Sequence, residues 1–257
     1  MLDQRDKWIR MRFGNIDSAI LGRVEEVVPV TWPDLEQSYA VKGNKLTYKI
    51  VPPTEPYAER IADIFAQGAY EMIRNSDLEW HHHPDEIMEK VGAGDWNFYG
   101  CWLEGELIAA ESLYINRGDR IMEWVWGCVD PVYRGRGVWQ KIGLYTDQVV
   151  ALSGAQVGSV WVVTTHKYSQ MAVELAGYAP MGCFIGKRFY GGEDGLYYRH
   201  TLLHYAKLYN PGQKHLQNWD SMHLTERAHD RPKGDLGRFS VSPILQRTRQ
   251  SLREVLA

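Results

Sequence analysis

The chain has 257 residues, 44% of them hydrophobic and 24% charged, with a formal net charge of −3. That length suits one large domain or two small ones, and the slightly acidic balance argues against nonspecific binding to nucleic acid or to a membrane surface. Cys101, Cys128 and Cys183 show no metal or redox spacing, no apolar run approaches the roughly 20 residues of a membrane span, and the first residues lack the apolar stretch of a secretion signal, so the expectation is a cytoplasmic protein with reduced thiols.

Residues 1–45 hold apolar clusters broken by Gly14, Pro29, Pro33 and Gly43, which reads as an N-terminal arm or cap. Residues 46–51 alternate as a strand and stop at Pro52-Pro53. Thr54, with Glu55 and Pro56 behind it, opens a helix in which Tyr57, Ile61, Ile64, Phe65, Ala69, Met72 and Ile73 recur at helical spacing to about Asn75. A polar linker with His81-His82-His83-Pro84 leads into a short helix over 85–91. Neighbouring histidines in an extended segment point to opposite faces, so the triplet reads as a polar loop rather than a metal site.

Three strand-like runs follow, 97–103, 107–115 and 121–129, joined by tight glycine-containing turns that signal hairpins. Alternation puts Trp124 and Trp126 on one face of the third run and Val125 on the other. The ten Trp and fifteen Tyr fit either a twisted sheet packed with large side chains or an aromatic acceptor pocket. A helix over 138–152, a strand over 158–164, a helix over 169–176 and a strand from 178 to about 185 come next, with no internal repeat. Residues 196–208 read as a last strand running into a helix. Residues 210–257 turn polar and read as a mobile tail or an arm around a neighbouring subunit, with a short amphipathic helix over 243–256.

The richest stretch runs from Met122 to Gln140, where a Trp- and Val-rich strand ends at Asp130-Pro131, a basic glycine turn follows and a helix begins. The first N–H groups of a helix lack internal partners, and the helix dipole adds to their pull on negative charge. Gly135 and Gly137 permit close approach of the backbone, Arg134 and Arg136 add charge, and the expected ligand is phosphorylated.

Arg134-Gly135-Arg136-Gly137-Val138-Trp139 resembles the pyrophosphate loop, Arg/Gln-x-x-Gly-x-Gly/Ala, of the GNAT superfamily of acyl-CoA-dependent N-acyltransferases. The first and fourth positions match; Trp139 stands where the family keeps a small residue, so its indole must turn away from the loop or partly occupy the phosphate site. The longer run Val129-Asp-Pro-Val-Tyr-Arg134-Gly-Arg-Gly137 also resembles the family pattern, and the likeness spans about residues 45–205. It implies an α+β fold, a mixed, mostly antiparallel sheet flanked by helices: an arm over 1–45, the acyltransferase domain over 46–205 and a C-terminal extension over 206–257.

The resemblance further implies acetyl-CoA or another acyl-CoA as co-substrate. Its pantetheine arm would pair like an extra strand with Gly127-Cys128-Val129, and the loop N–H groups of Arg134, Gly135, Arg136, Gly137, Val138 and Trp139 would hold the pyrophosphate. In the family's second motif His166 falls at the asparagine position and Val173 at that of the tyrosine that protonates the CoA sulfur, so Tyr168, His166 or water would substitute. Glu123, eleven residues before Arg134, matches the general base of histone-acetylating members; it is otherwise a strand-end surface glutamate, and Glu111 is its rival. The expected activity is acyl transfer to a small-molecule or protein amine, with no nucleic-acid or membrane partner and with terminal arms that would suit a homodimer. The alternative is a non-catalytic module of the same fold that binds acyl-CoA or a protein.

Overall fold

The computed structural model describes residues 28–74, 76–191 and 196–209. Eight strands form one sheet: β1 (Gln37–Val41), β2 (Asn44–Ile50), β3 (Trp96–Leu103), β4 (Glu106–Asn116), β5 (Ile121–Val129), β6 (Val157–Val163), β7 (Ala179–Gly191) and β8 (Tyr197–Leu208). Their order is β1-β2-β3-β4-β5-β6-β8-β7, and every neighbouring pair is antiparallel except β5–β6. The parallel pair requires a crossover, supplied by α3 (Val138–Ser153).

Apolar spacing decides which face each helix covers. In α1 (Glu55–Ile73), Ala58, Ile61, Ala62, Phe65 and Ala69 form one buried stripe that packs with Ile87 of α2 (Pro84–Gly92), Trp80 and Phe98 on one face of the sheet. On the other face, Val138, Ile142, Tyr145 and Val149 of α3 pack with Val173 of α4 (Tyr168–Leu175), Tyr48, Tyr99 and Met122. Gly143 is where α3 meets α4: a Cβ there would stand 2.8 Å from the Ala172 carbonyl oxygen.

Four expectations change. The stretch read as an arm contains β1, a five-residue edge strand with no fully buried residue. The region read as a strand running into a helix is strand over Tyr197–Leu208, because β6 and β7 pair with it on both sides. Trp124 and Trp126 lie on opposite faces: a bulge opposite Ser112/Leu113 inserts Val125 and shifts the alternation, so Trp124 joins the α3 side and Trp126 the α1 side. The histidine triplet is no polar loop. His81 is fully buried in a 3-10 turn over Glu79–His82, its Nδ1 2.8 Å from the Leu78 carbonyl oxygen and its Nε2 2.7 Å from Ser112 Oγ. Burial lowers its pKa to about 3 and keeps it neutral. Among the described residues no three metal-binding side chains converge, and no helix is long and apolar enough to cross a membrane. The expected amphipathic helix over 243–256 lies outside the described residues.

Candidate active site

The site begins where the parallel ladder ends. β5 and β6 pair from Ile121–Val157 to Trp124–Val160, and no pair follows. β5 continues against β4 alone, with Glu111 opposite Gly127, Ala110 opposite Cys128 and Ala109 opposite Val129, while β6 continues against β8. The two strands fork, leaving one edge of residues 125–129 without a partner strand. A cleft of about 870 Å³ occupies the fork and runs to the start of α3. An open strand edge offers unpaired N–H and C=O groups to an extended ligand.

The turn between β5 and α3 is fixed at its base. Asp130 is buried; one of its carboxylate oxygens accepts from the Val132 N–H at 3.0 Å, and the other pairs with Arg60 of α1 at 2.7 Å. Removing Arg60 would leave the buried Asp130 carboxylate without its cation. Gly135 and Gly137 then take left-handed φ values of 77° and 83°, a region open to glycine, and turn the chain into α3. No side chain caps that helix, so its first N–H groups face the cleft mouth.

The expected pyrophosphate residues divide. Gly135, Gly137, Val138 and Trp139 line the cleft, as do Gly127, Cys128 and Val129. Arg134 also lines it, but its guanidinium is engaged: Nη2 donates to the Gly68 carbonyl at 3.0 Å and Nε to that of Val129 at 3.3 Å, tying α1 to the end of β5. Gly68 must be glycine for this, since a Cβ would meet Cys128 Sγ at 2.1 Å. Arg136 lies over the Tyr133 ring instead. Sequence reasoning missed a cation here. Lys42, in the β1–β2 turn, reaches the loop and donates to the Gly135 carbonyl at 2.7 Å. Gly43 was read only as a breaker within the arm, and the position of Lys42 beside residue 135 depends on a contact 93 positions away.

Trp139 turns away from the loop. Its indole lies on Gly127, where a Cβ would be 2.5 Å from the ring, and forms part of the cleft wall beside Glu111. Glu111 is 3% exposed on the α3 side and accepts a hydrogen bond from the Thr146 hydroxyl. One neutral donor offsets little of the cost of burying a carboxylate, and desolvation pushes its pKa up to about 8, so the group is mostly protonated at neutral pH. Val173 is buried behind the cleft. Tyr168, 65% exposed, and His166 stand at the mouth with ring centroids 5.7 Å apart.

Glu123 is on the opposite face from Glu111, level with Tyr114 of β4 and Ser159 of β6, at the apex of the fork. It is half-buried, not a surface glutamate, and it does not line the cleft itself. Desolvation raises its pKa, while the cations Lys187 and Arg188 of β7 pull it back. Beside it Ser159 Oγ is 2.9 Å from His204 Nε2, and His204 stacks on Trp161 at 4.2 Å. Burial lowers the His204 pKa, as does Lys187 to a lesser extent.

No family model and no curated protein matches the sequence. Solved structures do match in shape. Mycobacterium smegmatis RimJ in complex with CoA-disulfide superimposes with a TM-score of 0.56 at 14% identity, covering 70% of this chain and 90% of that one. A ribosomal-protein-S5-alanine acetyltransferase from Vibrio fischeri gives 0.55 at 11%, covering 69% and 98%. The N152L mutant of spermidine N-acetyltransferase SpeG from Vibrio cholerae gives 0.52 at 16%, covering 66% and 96%. At such identities the likeness is one of architecture: this chain has the fold of the GNAT acetyltransferases.

Proposed function

We propose that the protein is an acyl-CoA-dependent N-acyltransferase that acts on a primary amine by direct attack in a ternary complex. The observation that carries this reading is the fork between β5 and β6 opening onto an uncapped helix N-terminus, a groove for an extended chain that ends in an anion site. The acyltransferase unit includes β1 and β8, since both are strands of its sheet.

In this reading the donor lies on one face of the fork and the acceptor approaches from the other. Acetyl-CoA, when bound, supplies the activated acyl group. The N–H groups at the start of α3, with Lys42, hold its phosphates, and the open edge of β5 orients its extended arm. Glu123 takes a proton from the acceptor ammonium, directly or through one water, and so frees the lone pair that attacks the acyl carbon. As the new C–N bond forms, the C–S bond breaks, and Tyr168 or water returns a proton to the sulfur. That last step demands little, because thiolate is a tolerable leaving group. Glu111, enclosed and mostly neutral, has no role as a base here.

The test is a thiol-release assay with acetyl-CoA and a panel of amines, on the native protein and on Glu123→Gln. Turnover in the native protein that is lost in the variant, with acetyl-CoA affinity retained, supports the reading. The indole of Trp139 on Gly127 and the valine at 173 favour the second reading, a non-catalytic acyl-CoA-binding module. Binding without turnover of any amine would select it.

A further inference from the structure

β7 departs from regular pairing next to the fork. Phe184 pairs with Leu202 and Arg188 with His200, so residues 185–187 of β7 face one residue of β8. Gly186, inside this bulge, has φ +67°. Bulges re-aim side chains, and this one turns two successive cations over the sheet. The Lys187 ammonium stands 3.0 Å from the centroid of the Trp161 ring, and the Arg188 guanidinium lies over the Trp126 ring at 5.5 Å. Trp126 belongs to β5 and Trp161 to β6, both beyond the last paired residues, so the two cations straddle the fork from the face that carries Glu123.

Arg188 is not neutralised in proportion to its burial, and among the described residues Lys187 has no carboxylate partner. Arg188 is 16% exposed, its Nε has no hydrogen-bond partner, and its carboxylate partner Asp77, 3.2 Å away, is 81% exposed and screened by water. Among the described residues Lys187 has no ion pair and no hydrogen bond; its ammonium meets an aromatic face. Glu123 lies near enough to feel both charges but pairs with neither within 4 Å. Of the histidines of β8 on this side, His204 is engaged with Ser159 and His200 stands directly opposite Arg188. One half-buried acid beside a partly buried Arg188 and an exposed Lys187, neither fully neutralised, is complementary to a molecule that carries an ammonium and an anion close together.

Building on the transferase reading, we propose that Lys187 and Arg188 form an anion subsite beside Glu123, and that the acceptor is a small zwitterionic amine of the α-amino-acid type. Its ammonium faces Glu123, its carboxylate faces the two cations, and its side chain lies along the Trp126–Trp161 walls. This arrangement excludes simple polyamines, which bring a second positive charge towards Lys187 and Arg188.

The experiment uses the full chain loaded with CoA and paired probes that differ by one carboxylate: tryptophan and tryptamine, histidine and histamine, ornithine and putrescine. Binding is read by saturation-transfer NMR and turnover by thiol release with acetyl-CoA. The expected result is a preference of at least tenfold for the amino acid of a pair, reduced at least tenfold in Lys187→Gln and Arg188→Gln. Arg188→Lys, which keeps the charge, should restore part of it, and acetyl-CoA affinity should stay unchanged throughout. Equal or better use of the decarboxylated amine overturns the subsite, as does preference for a dipeptide amide or failure of every probe to bind. Binding of amino acids without turnover of any amine would instead uphold the subsite and overturn the transferase reading.

Discussion

The two faces of the fork each carry one carboxylate, and the same force acts on both: removal from water favours the neutral acid. On the α3 face Glu111 is enclosed by Thr146, the Gly127 backbone and the Trp139 indole, with no cation to oppose that force, and its pKa rises to about 8. On the α1 face Glu123 is half-buried beneath Lys187 and Arg188, whose charges hold its pKa closer to the ordinary carboxylate value. Burial alone therefore does not make a base. The cation pair opposes desolvation at one of two strand glutamates and nothing comparable opposes it at the other, so the first is the one proposed as the base while the other is a mostly neutral part of the wall.

The largest effect expected from this contrast is catalytic. Glu123→Gln should lower kcat/KM by about 10²–10⁴-fold, the range of a lost general base, with acetyl-CoA affinity retained. Glu111→Gln, scored in the same thiol-release assay, should leave kcat/KM within about threefold.

Stability should separate the two acids in the opposite sense. Between the unfolded value near 4.5 and the folded value near 8, native Glu111 holds a proton that the unfolded chain has released, so the native protein loses stability as pH rises through that window. Glu111→Gln has no such loss. Thermal melts should show it gaining on the native protein by up to about 1.4 kcal/mol per pH unit in that interval. A gap that does not change with pH would break the comparison.

Gly68→Ala tests the clamp that ties α1 to the end of β5. Its Cβ would enter the space of Cys128 Sγ and crowd the Arg134 guanidinium. A loss of about 1–3 kcal/mol is expected from denaturant midpoints, the usual cost of overpacking. The smallest effect concerns the cations. Lys187→Met removes one charge that favours ionised Glu123, so the acidic limb of the rate profile should move to higher pH; movement to lower pH would contradict the role given to Lys187.

Much of this was legible in the chain. The hairpins of β3, β4 and β5, the crossover helix and the glycine loop all follow from local signals: alternation, tight turns, helical spacing and a strand–turn–helix order. What sequence could not supply depends on contacts between distant segments. His81 looks polar until Ser112, 31 positions away, satisfies its ring. Trp126 changes face because of a bulge in a strand whose alternation looks regular. His200 and His204 have helical spacing but lie in a strand, because pairing with β6 and β7 overrides local preference. Lys187 and Arg188 lie past the end of the strand read to about residue 185, and the distortion that carries them over the fork shows only in the register of β7 against β8. The Arg-x-x-Gly pattern likewise identified the loop but not the use of its arginine, which in this structure binds two backbone carbonyls.

The most direct test of the whole account is calorimetric titration of acetyl-CoA into the native protein and into Lys42→Glu/Gln140→Glu. Both substitutions are at exposed positions beside the α3 N-terminus, and a glutamate in a first helical turn is favourable for the fold. Micromolar binding, about −8 kcal/mol, is expected in the native protein, with at least a tenfold loss in the double variant and no fall in Tm. No binding by the native protein, or equal binding by both, would contradict the assignment of the β5–β6 fork and the α3 N-terminus as the donor site.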